Sequence, residues 1–156
     1  MKTQSPMRMK TNTATLFLLA LVAVSCGNDE KAVRTAAQAY LDATANYDFD
    51  AAENYATDET RDVTLKFFSA VIMPATDTAF IAASKPATVD ITAVDRLSDT
   101  TAEVRFVKTT PLKTDSSTLP MLKRNGEWRA HVVIEIPPYF QQQRRDDIPV
   151  DELKIK

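Results

Sequence analysis

The stretch LPMLKRNGEWRAHVVI, residues 119–134, decides the fold because it predicts a β-hairpin. Its central pair, Asn125-Gly126, is the sequence most typical of a two-residue hairpin turn. Such a turn sets the register, and the pairs it predicts are Arg124 with Glu127, Met121 with Ala130, and Leu119 with Val132. This register forms one opposite-charge pair and places the apolar residues of both strands on one face with Trp128.

Two residues of this hairpin have special positions. Pro120 lies opposite His131 at a hydrogen-bonded position of the ladder, where a proline has no N–H to donate. We therefore expect a bulge or a sheet edge at Pro120. His131, the one histidine of the chain, has the opposite parity to Trp128, so we expect a solvated side chain among charged neighbours on the outer face.

Alternating patterns indicate two more strands before the hairpin. Apolar and polar residues alternate with period two over residues 87–93 and 102–107, with a turn at Ser98-Asp99 between them. The side chains predicted to face inward are those of Val89, Ile91, Ala93, Ala102, Val104 and Phe106. Residues 111–117 are polar, and we expect a loop there.

Residues 31–86 have the spacing of helices. Apolar side chains recur at i, i+3, i+4 and i+7 from Val33 onward, which predicts a helix from Lys31 to about Asn46. Three shorter helices are predicted after it, and their expected N-caps are Asp48, Thr57 or Asp58, and Thr76 or Asp77. The middle one is expected to end at Pro74 and to bury Val63, Phe67, Phe68, Val71 and Ile72.

Length and composition limit the classes of protein to which this chain can belong. Its 156 residues suffice for one domain, and a hydrophobic content of 44% supports an ordinary core. A formal charge of −2 argues against a nucleic-acid-binding protein, which usually has a basic face. Two glycines, one cysteine and one histidine exclude a Gly-rich phosphate loop, a Cys/His zinc cluster and an internal disulfide. We expect no metal and no cofactor.

The first 25 residues have the pattern of a bacterial lipoprotein signal peptide. Lys2, Arg8 and Lys10 supply positive charge, and the apolar run from Ala14 to Val24 is 11 residues long. As a helix this run reaches about 17 Å, short of the roughly 30 Å hydrocarbon core of a membrane. The run is therefore typical of a signal peptide and not of a membrane span.

Cys26 follows the small residue Ser25, which resembles the site where a bacterial lipoprotein is cleaved and acylated. Ala23 and Val24 depart from the commonest form of that signal, in which leucine stands three residues before the cysteine. The alternative is ordinary secretion with a free thiol at Cys26, which is unfavourable in an oxidising compartment. Residues 27–30 are either a solvated acidic linker or a signal for transport to the cell surface.

The chain divides into four parts on this basis: a lipoprotein signal peptide (1–25), an acidic tether (26–30), a folded domain (31–137) and a polar tail (138–156). Helices followed by antiparallel strands predict an α+β domain, with the helices packed on one face of a curved sheet. We expect a lipid anchor on Cys26 to hold this domain in the cell envelope, at the outer membrane, where it faces either the periplasm or the cell surface.

Three motifs resemble the nuclear-transport-factor-two-like superfamily, also called SnoaL-like or cystatin-like. They are residues 36–41, residues 46–52 with an aromatic residue near the start of the second helix, and the Gly-x-Trp hairpin at 126–128. The resemblance spans roughly residues 31–136 and is greatest to small bacterial lipoproteins without an assigned function. It implies a cone, in which the curved sheet wraps the long helix and leaves an apolar pocket at the open end.

The residues expected to line this pocket are Tyr40, Tyr55, Phe67, Phe106, Met121 and Trp128. Enzymes of the superfamily, such as ketosteroid isomerase and scytalone dehydratase, usually have an Asp or His in the pocket with a Tyr opposite. Parity directs His131 and Asp90 outward, and Asp42 is expected to face water. With no matched acid–base pair, we expect no catalytic residue and no enzyme activity.

Three functions of different classes follow from these observations. The favoured one is a lipid-anchored envelope domain that binds a small apolar molecule or an envelope protein, without catalysis. The second is an enzyme of the isomerase, dehydratase or hydrolase kind that uses the pocket. The third is a dimeric assembly module that acts through the outer sheet face, where Val107 and Val133 supply some apolar surface.

Overall fold

The structure is a computed structural model that describes the backbone of residues 14–136 and the side chains of residues 28–136. The basic residues Lys2, Arg8 and Lys10 and the predicted tail 138–156 lie outside the described residues. Among the described residues, no helix is both long and apolar enough to span a membrane.

The described chain forms helices first and then one antiparallel sheet, so the predicted α+β class is confirmed. The helices are α1 (Ala14–Ala45), α2 (Phe49–Glu53), α3 (residues 58–75) and α4 (Thr78–Ala83). The strands are β1 (Thr88–Arg96), β2 (Thr101–Thr109), β3 (Thr114–Arg124) and β4 (Glu127–Ala130), in the spatial order β1-β2-β3-β4. Helix α1 packs across one face of this sheet and contacts all four strands.

The core lies between α1 and the sheet. Its buried apolar residues come from α1, α2, α3 and every strand, and the largest of them are Val33, Tyr40, Leu41, Leu65, Val104, Leu119, Met121 and Trp128. Alanines of α1 and α2 let these elements approach closely, since Ala37 and Ala52 are fully buried.

Helix α1 begins at Ala14, well before the predicted start at Lys31. Residues 26–30, predicted as a tether, are therefore helical, and Asp29 is not a solvated linker residue. Its carboxylate accepts a hydrogen bond of 2.8 Å from Lys123 Nζ on β3. A cationic partner on the sheet thus fixes this part of the chain to the folded body.

Helix α3 differs most from its predicted form because two of its segments, Thr60–Leu65 and Phe68–Ile72, are π-helical. A π turn holds more residues than an α turn, so a period of 3.6 assigns the wrong face along this helix. Thr64 and Leu65 are buried, although the helical period did not place them on the buried face. Val63, which it did place there, is only half-buried. The helix ends at Ala75, one residue beyond Pro74.

Two of the predicted N-caps are present at short helices. Asp48 accepts a hydrogen bond from the N–H of Ala51 and begins α2, and Asp77 accepts one from Ala79 and begins α4. At α3, Thr57 Oγ1 accepts the N–H of Thr60, which selects Thr57 over Asp58 as the cap.

A β-bulge in β1 changes which side chains face the core. The pairing of β1 with β2 shifts between Ile91 and Ala93, so Thr92 is the extra residue. Ala93, predicted to face inward, is paired with the outward-facing Arg105, and Val94 takes the inward position opposite Val104. The prediction for Ala93 was wrong because a strict period of two does not allow for a bulge.

Residues 111–117, predicted as a loop, are largely strand. Strand β3 begins at Thr114, and its polar residues pair with β2 from Thr109↔Thr114 to Phe106↔Ser117. Their side chains are mostly exposed, so the segment is polar because it lies at the border of the sheet and not because it lacks structure.

The hairpin has the predicted turn and register near the turn. Arg124 pairs with Glu127 and Met121 with Ala130, but the ladder between β3 and β4 ends there. The predicted pair of Leu119 with Val132 is therefore not formed within the strands. The carbonyl of Pro120 accepts the N–H of His131 at 2.9 Å. The N–H and C=O of one residue in an antiparallel strand point to the same side, so the N–H that Pro120 lacks would also point toward β4. Pro120 therefore lies at the sheet edge that the sequence predicts.

Beyond the hydrogen bond of His131 to Pro120, the chain is held by helix α3 instead of by β3. We call Thr57, Thr60 and Thr64 the threonine row. The Thr60 hydroxyl donates to the carbonyl of Ala130 at 3.2 Å and accepts the N–H of Val132 at 2.8 Å. The Thr64 hydroxyl donates to the carbonyl of Val132 and accepts the N–H of residue 134 at 3.3 Å. Side-chain hydroxyls thus replace a strand partner for residues 130–134.

His131 contacts the first member of the threonine row. Its Nδ1 lies 3.1 Å from Thr57 Oγ1, and its side chain is half-buried. The predicted environment, a solvated histidine among cross-strand charges, was therefore wrong. The reason is that β4 has already ended, so the side chain of His131 contacts the N-cap of helix α3 and not a charged residue of a neighbouring strand.

Replacing Thr60 by valine should destabilise the fold. The Thr60→Val side chain keeps the shape but leaves the Val132 N–H without its acceptor, which costs about 2 kcal/mol of unfolding free energy. Thr35→Val is the matched control, since Thr35 is an exposed helical threonine whose hydroxyl bonds only within α1. Urea denaturation of both variants measures the difference, and an equal loss in the two would contradict a special role of Thr60.

Candidate ligand cavity

A cavity of about 410 Å³ lies at the end of α1 that is remote from Asp29. It lies between the last turns of α1, helix α3, strands β1 to β3 and the segment after β4. Its lining is mainly apolar and aromatic, and consists of Tyr40, Leu41, Thr44, Ala45, Tyr47, Phe49, Thr64, Leu65, Phe68, Val89, Phe106, Lys108, Ser117, Thr118, Leu119, Val132 and Ile134. The volume is within the range of small-molecule sites, which is about 300–1,000 Å³.

The cavity exists because β4 is short. Where β4 ends, β3 continues alone toward Ser117, and residues 132–134 turn to the threonine row. Leu119 of β3 and Val132 both line the resulting space. The rings of Phe49 and Phe68 lie on the helical side with their centroids 6.2 Å apart.

The residues predicted to line the pocket separate into three groups. Tyr40 and Phe106 line the cavity. Met121 and Phe67 are buried in the packed interior and do not line it. Tyr55, which is 38% exposed, and Trp128 border a separate surface groove near the hairpin turn.

These differences have a common reason. The sequence pattern shows which face of an element is apolar but not how far along the element a cavity lies. Met121 and Trp128 share the inner sheet face with Leu119, yet they lie nearer the turn, where α1 packs closely against the sheet. Val132 and Ile134 could have been found by the same inward parity that identified Trp128.

Tyr40 is a deeply buried polar side chain of the cavity. It is 5% exposed, and its hydroxyl has no hydrogen-bond partner among the described residues. Burial raises the pKa of Tyr40 from 10.0 to about 12, because the phenolate is poorly solvated there. The side chain is therefore a neutral hydroxyl, able to donate to a group within the cavity.

Because of this raised pKa, the free energy of unfolding depends on pH in the alkaline range. Between pH 10 and about 12 the unfolded chain loses the Tyr40 proton while the folded chain keeps it, so stability falls as pH rises. Tyr40→Phe should abolish about 2 kcal/mol of that alkaline loss. Chemical denaturation at several alkaline pH values measures it, with Tyr55→Phe as the control. Identical pH profiles for Tyr40→Phe and the unmodified chain would contradict the assignment.

The lining contains no Asp, Glu or His among the described residues. His131 contacts Thr57 outside the cavity. Within the part of the chain whose side chains are described, no group of His, Cys, Asp or Glu could hold a metal ion. The polar groups available for chemistry inside the cavity are hydroxyls and the ammonium of Lys108.

A charged cluster lies near the middle of α1, away from the cavity. Asp29 bridges the sheet: its carboxylate lies 2.8 Å from Lys123 Nζ and 3.3 Å from a guanidinium nitrogen of Arg96. The indole N–H of Trp128 donates to it at 3.5 Å, and Lys123 Nζ lies 5.6 Å from the centre of that ring. The hydrogen bond from Lys123 is the main cause that lowers the pKa of Asp29 below its ordinary 3.8.

Asp29 should contribute to stability at neutral pH and lose that contribution in acid. A lowered pKa means that the stabilisation is present above the ordinary value of 3.8 and disappears as pH falls through the lower folded-state pKa. Asp29→Asn should therefore be less stable than the unmodified chain at neutral pH, with the difference shrinking in acid. Glu30→Gln is the control, because Glu30 pairs only with Arg34 on the same helix. A difference that stays constant with pH would refute the ion-pair explanation.

The chain matches no protein-family model and no curated protein. Solved structures similar to it include the following three proteins. One is an NTF2-like protein of unknown function from Shewanella baltica (13% identity, 66% of this chain and 88% of that chain, TM-score 0.48). Another is an NTF2-like protein of unknown function from Shewanella oneidensis (18%, 65% and 95%, TM-score 0.47). The third is a ketosteroid isomerase-like protein from Erwinia carotovora atroseptica (17%, 65% and 90%, TM-score 0.44).

Proposed function

We propose that this protein is a lipid-anchored domain of the cell envelope that binds a small apolar molecule in its cavity without transforming it. The observation that carries the proposal is the cavity of about 410 Å³, lined mainly by apolar and aromatic side chains. Apolar cavities of this size with few polar groups are typical of small-molecule sites. We place the protein in the nuclear-transport-factor-two-like superfamily on its motifs and on its order of helices and strands.

The absence of acidic and histidine side chains from the described lining supports binding over catalysis. Isomerase or dehydratase chemistry needs a general base within hydrogen-bond reach of its substrate. In the described part of the chain, His131 is engaged with Thr57, and the nearest candidate hydroxyls, such as that of Tyr40, remain protonated at neutral pH. We propose accordingly that no cofactor takes part.

The first 26 residues support the lipid anchor. A basic start, an apolar run too short to span a membrane and small residues before Cys26 form the pattern of a lipoprotein signal. Each acyl CH₂ buried in a bilayer contributes about 0.8 kcal/mol, so an anchor with more than one chain is stable. We propose attachment at the outer membrane, where an envelope protein could also be a partner.

Blocking the cavity should abolish ligand binding. Ser117 lines the cavity and is exposed, so Ser117→Trp should occupy the space without disturbing the core. Ser116→Trp is the matched control, because its side chain points to the other face of the same strand. Native mass spectrometry of the full chain should show a bound small molecule in the unmodified and Ser116→Trp proteins but not in Ser117→Trp. Equal occupancy in all three would place the ligand elsewhere and contradict the proposal.

Removal of the single cysteine should remove the anchor. In a bacterial host fed an alkyne-labelled fatty acid, the unmodified chain should carry the label and sediment with membranes. Cys26→Ser should lose the label, whereas Asn28→Ala, a nearby change that keeps the cysteine, should retain it. Acylation at Cys26 would be refuted if Cys26→Ser carried the label, or if neither the unmodified chain nor Cys26→Ser carried it.

A further inference from the structure

The polar groups of the cavity are all able to donate hydrogen bonds. They include the hydroxyls of Tyr40 and Ser117 and the ammonium of Lys108. Among the described residues, none of these three side-chain groups has a hydrogen-bond or ion-pair partner. The apolar cavity therefore has a small set of unpaired donors, one of which is charged, and no carboxylate to balance them.

Lys108 owes its position to the register of the sheet. It lies on β2 between Val89 of β1 and Asp115 of β3, on the face that carries the cavity. Asp115 is the acidic side chain closest in register, but its carboxylate is bound to Lys113 at 2.8 Å. Lys108, a half-buried residue, thus lines the cavity without an ion-pair partner among the described residues.

We infer that the ligand is an amphipathic carboxylate, with an apolar tail in the cavity and its anionic head bound by Lys108. This inference rests on the proposed binding function and specifies its ligand class. A hydrogen bond between an ammonium and a carboxylate is charge-assisted and stronger than one between neutral groups. The Tyr40 and Ser117 hydroxyls supply further donors, and the aromatic and aliphatic lining accepts the tail. A cationic amphiphile would meet the ammonium of Lys108 and be repelled.

The test uses three probes with the same alkyl chain: decanoate, decanol and decylamine. Isothermal titration calorimetry of the full chain at neutral pH should give a Kd for decanoate about tenfold lower than for decanol, with decylamine weakest. Shortening the tail by one CH₂ should weaken each probe about fourfold, as expected for burial of the tail. 

Two lysine variants isolate the charge. Lys108→Met keeps the length of the side chain and should raise the Kd of decanoate about tenfold while leaving that of decanol unchanged. Lys66→Met is the control, because Lys66 is exposed, pairs with Asp62 on helix α3 and does not line the cavity, and it should leave both unchanged.

The outcomes separate this inference from the proposed function. If decanol binds as tightly as decanoate and Lys108→Met has no effect, the inference is overturned. Loss of decanol binding in Ser117→Trp would then still support the apolar site. If no probe binds, both the inference and the proposed function fail.

Discussion

The hydrogen bonds between the threonine row and residues 130–134 are the constraint on which the shape of this protein depends. A fourth strand that continued along β3 would satisfy its backbone groups there and close the sheet over the end of α1. Thr60 and Thr64 offer the same backbone groups hydroxyl partners on a helix instead. The chain therefore leaves β3, and the space between the two becomes the cavity. Unpaired backbone groups are costly, which normally favours a longer sheet; here the hydroxyls of two side chains, Thr60 and Thr64, satisfy them instead.

The bulge at Thr92 has a comparable effect at the other end of the sheet. Without the extra residue, the strict alternation of β1 would direct Asp95 inward, toward the carboxylate of Asp29. With it, Arg96 faces inward and binds Asp29, while Asp95 faces outward and pairs with Arg105. One inserted residue thus converts a repulsive contact into an attractive one and fixes the beginning of the described body against the sheet.

Much of the fold could be predicted from local patterns, because those patterns act through near neighbours. The turn at Asn125-Gly126, the hairpin register near it and the caps Asp48 and Asp77 each depend on residues a few positions apart. The π turns of α3, the bulge in β1 and the polar start of β3 depend on contacts between distant segments, which no periodicity shows. The candidate site divides in the same way: helical spacing identified Tyr40 and strand parity identified Phe106, whereas the position of the cavity along the sheet depends on where β4 ends.

Pro120 has a further consequence for the exposed border of β3. Residues 114–119 have a strand neighbour on one side only, among the described residues, and such a border is a template on which another chain could add and begin to aggregate. An incoming strand would meet a position without an N–H at Pro120 and polar side chains at Ser116 and Thr118. The proline next to this border and the polar side chains on it therefore also protect the protein against intermolecular β-pairing.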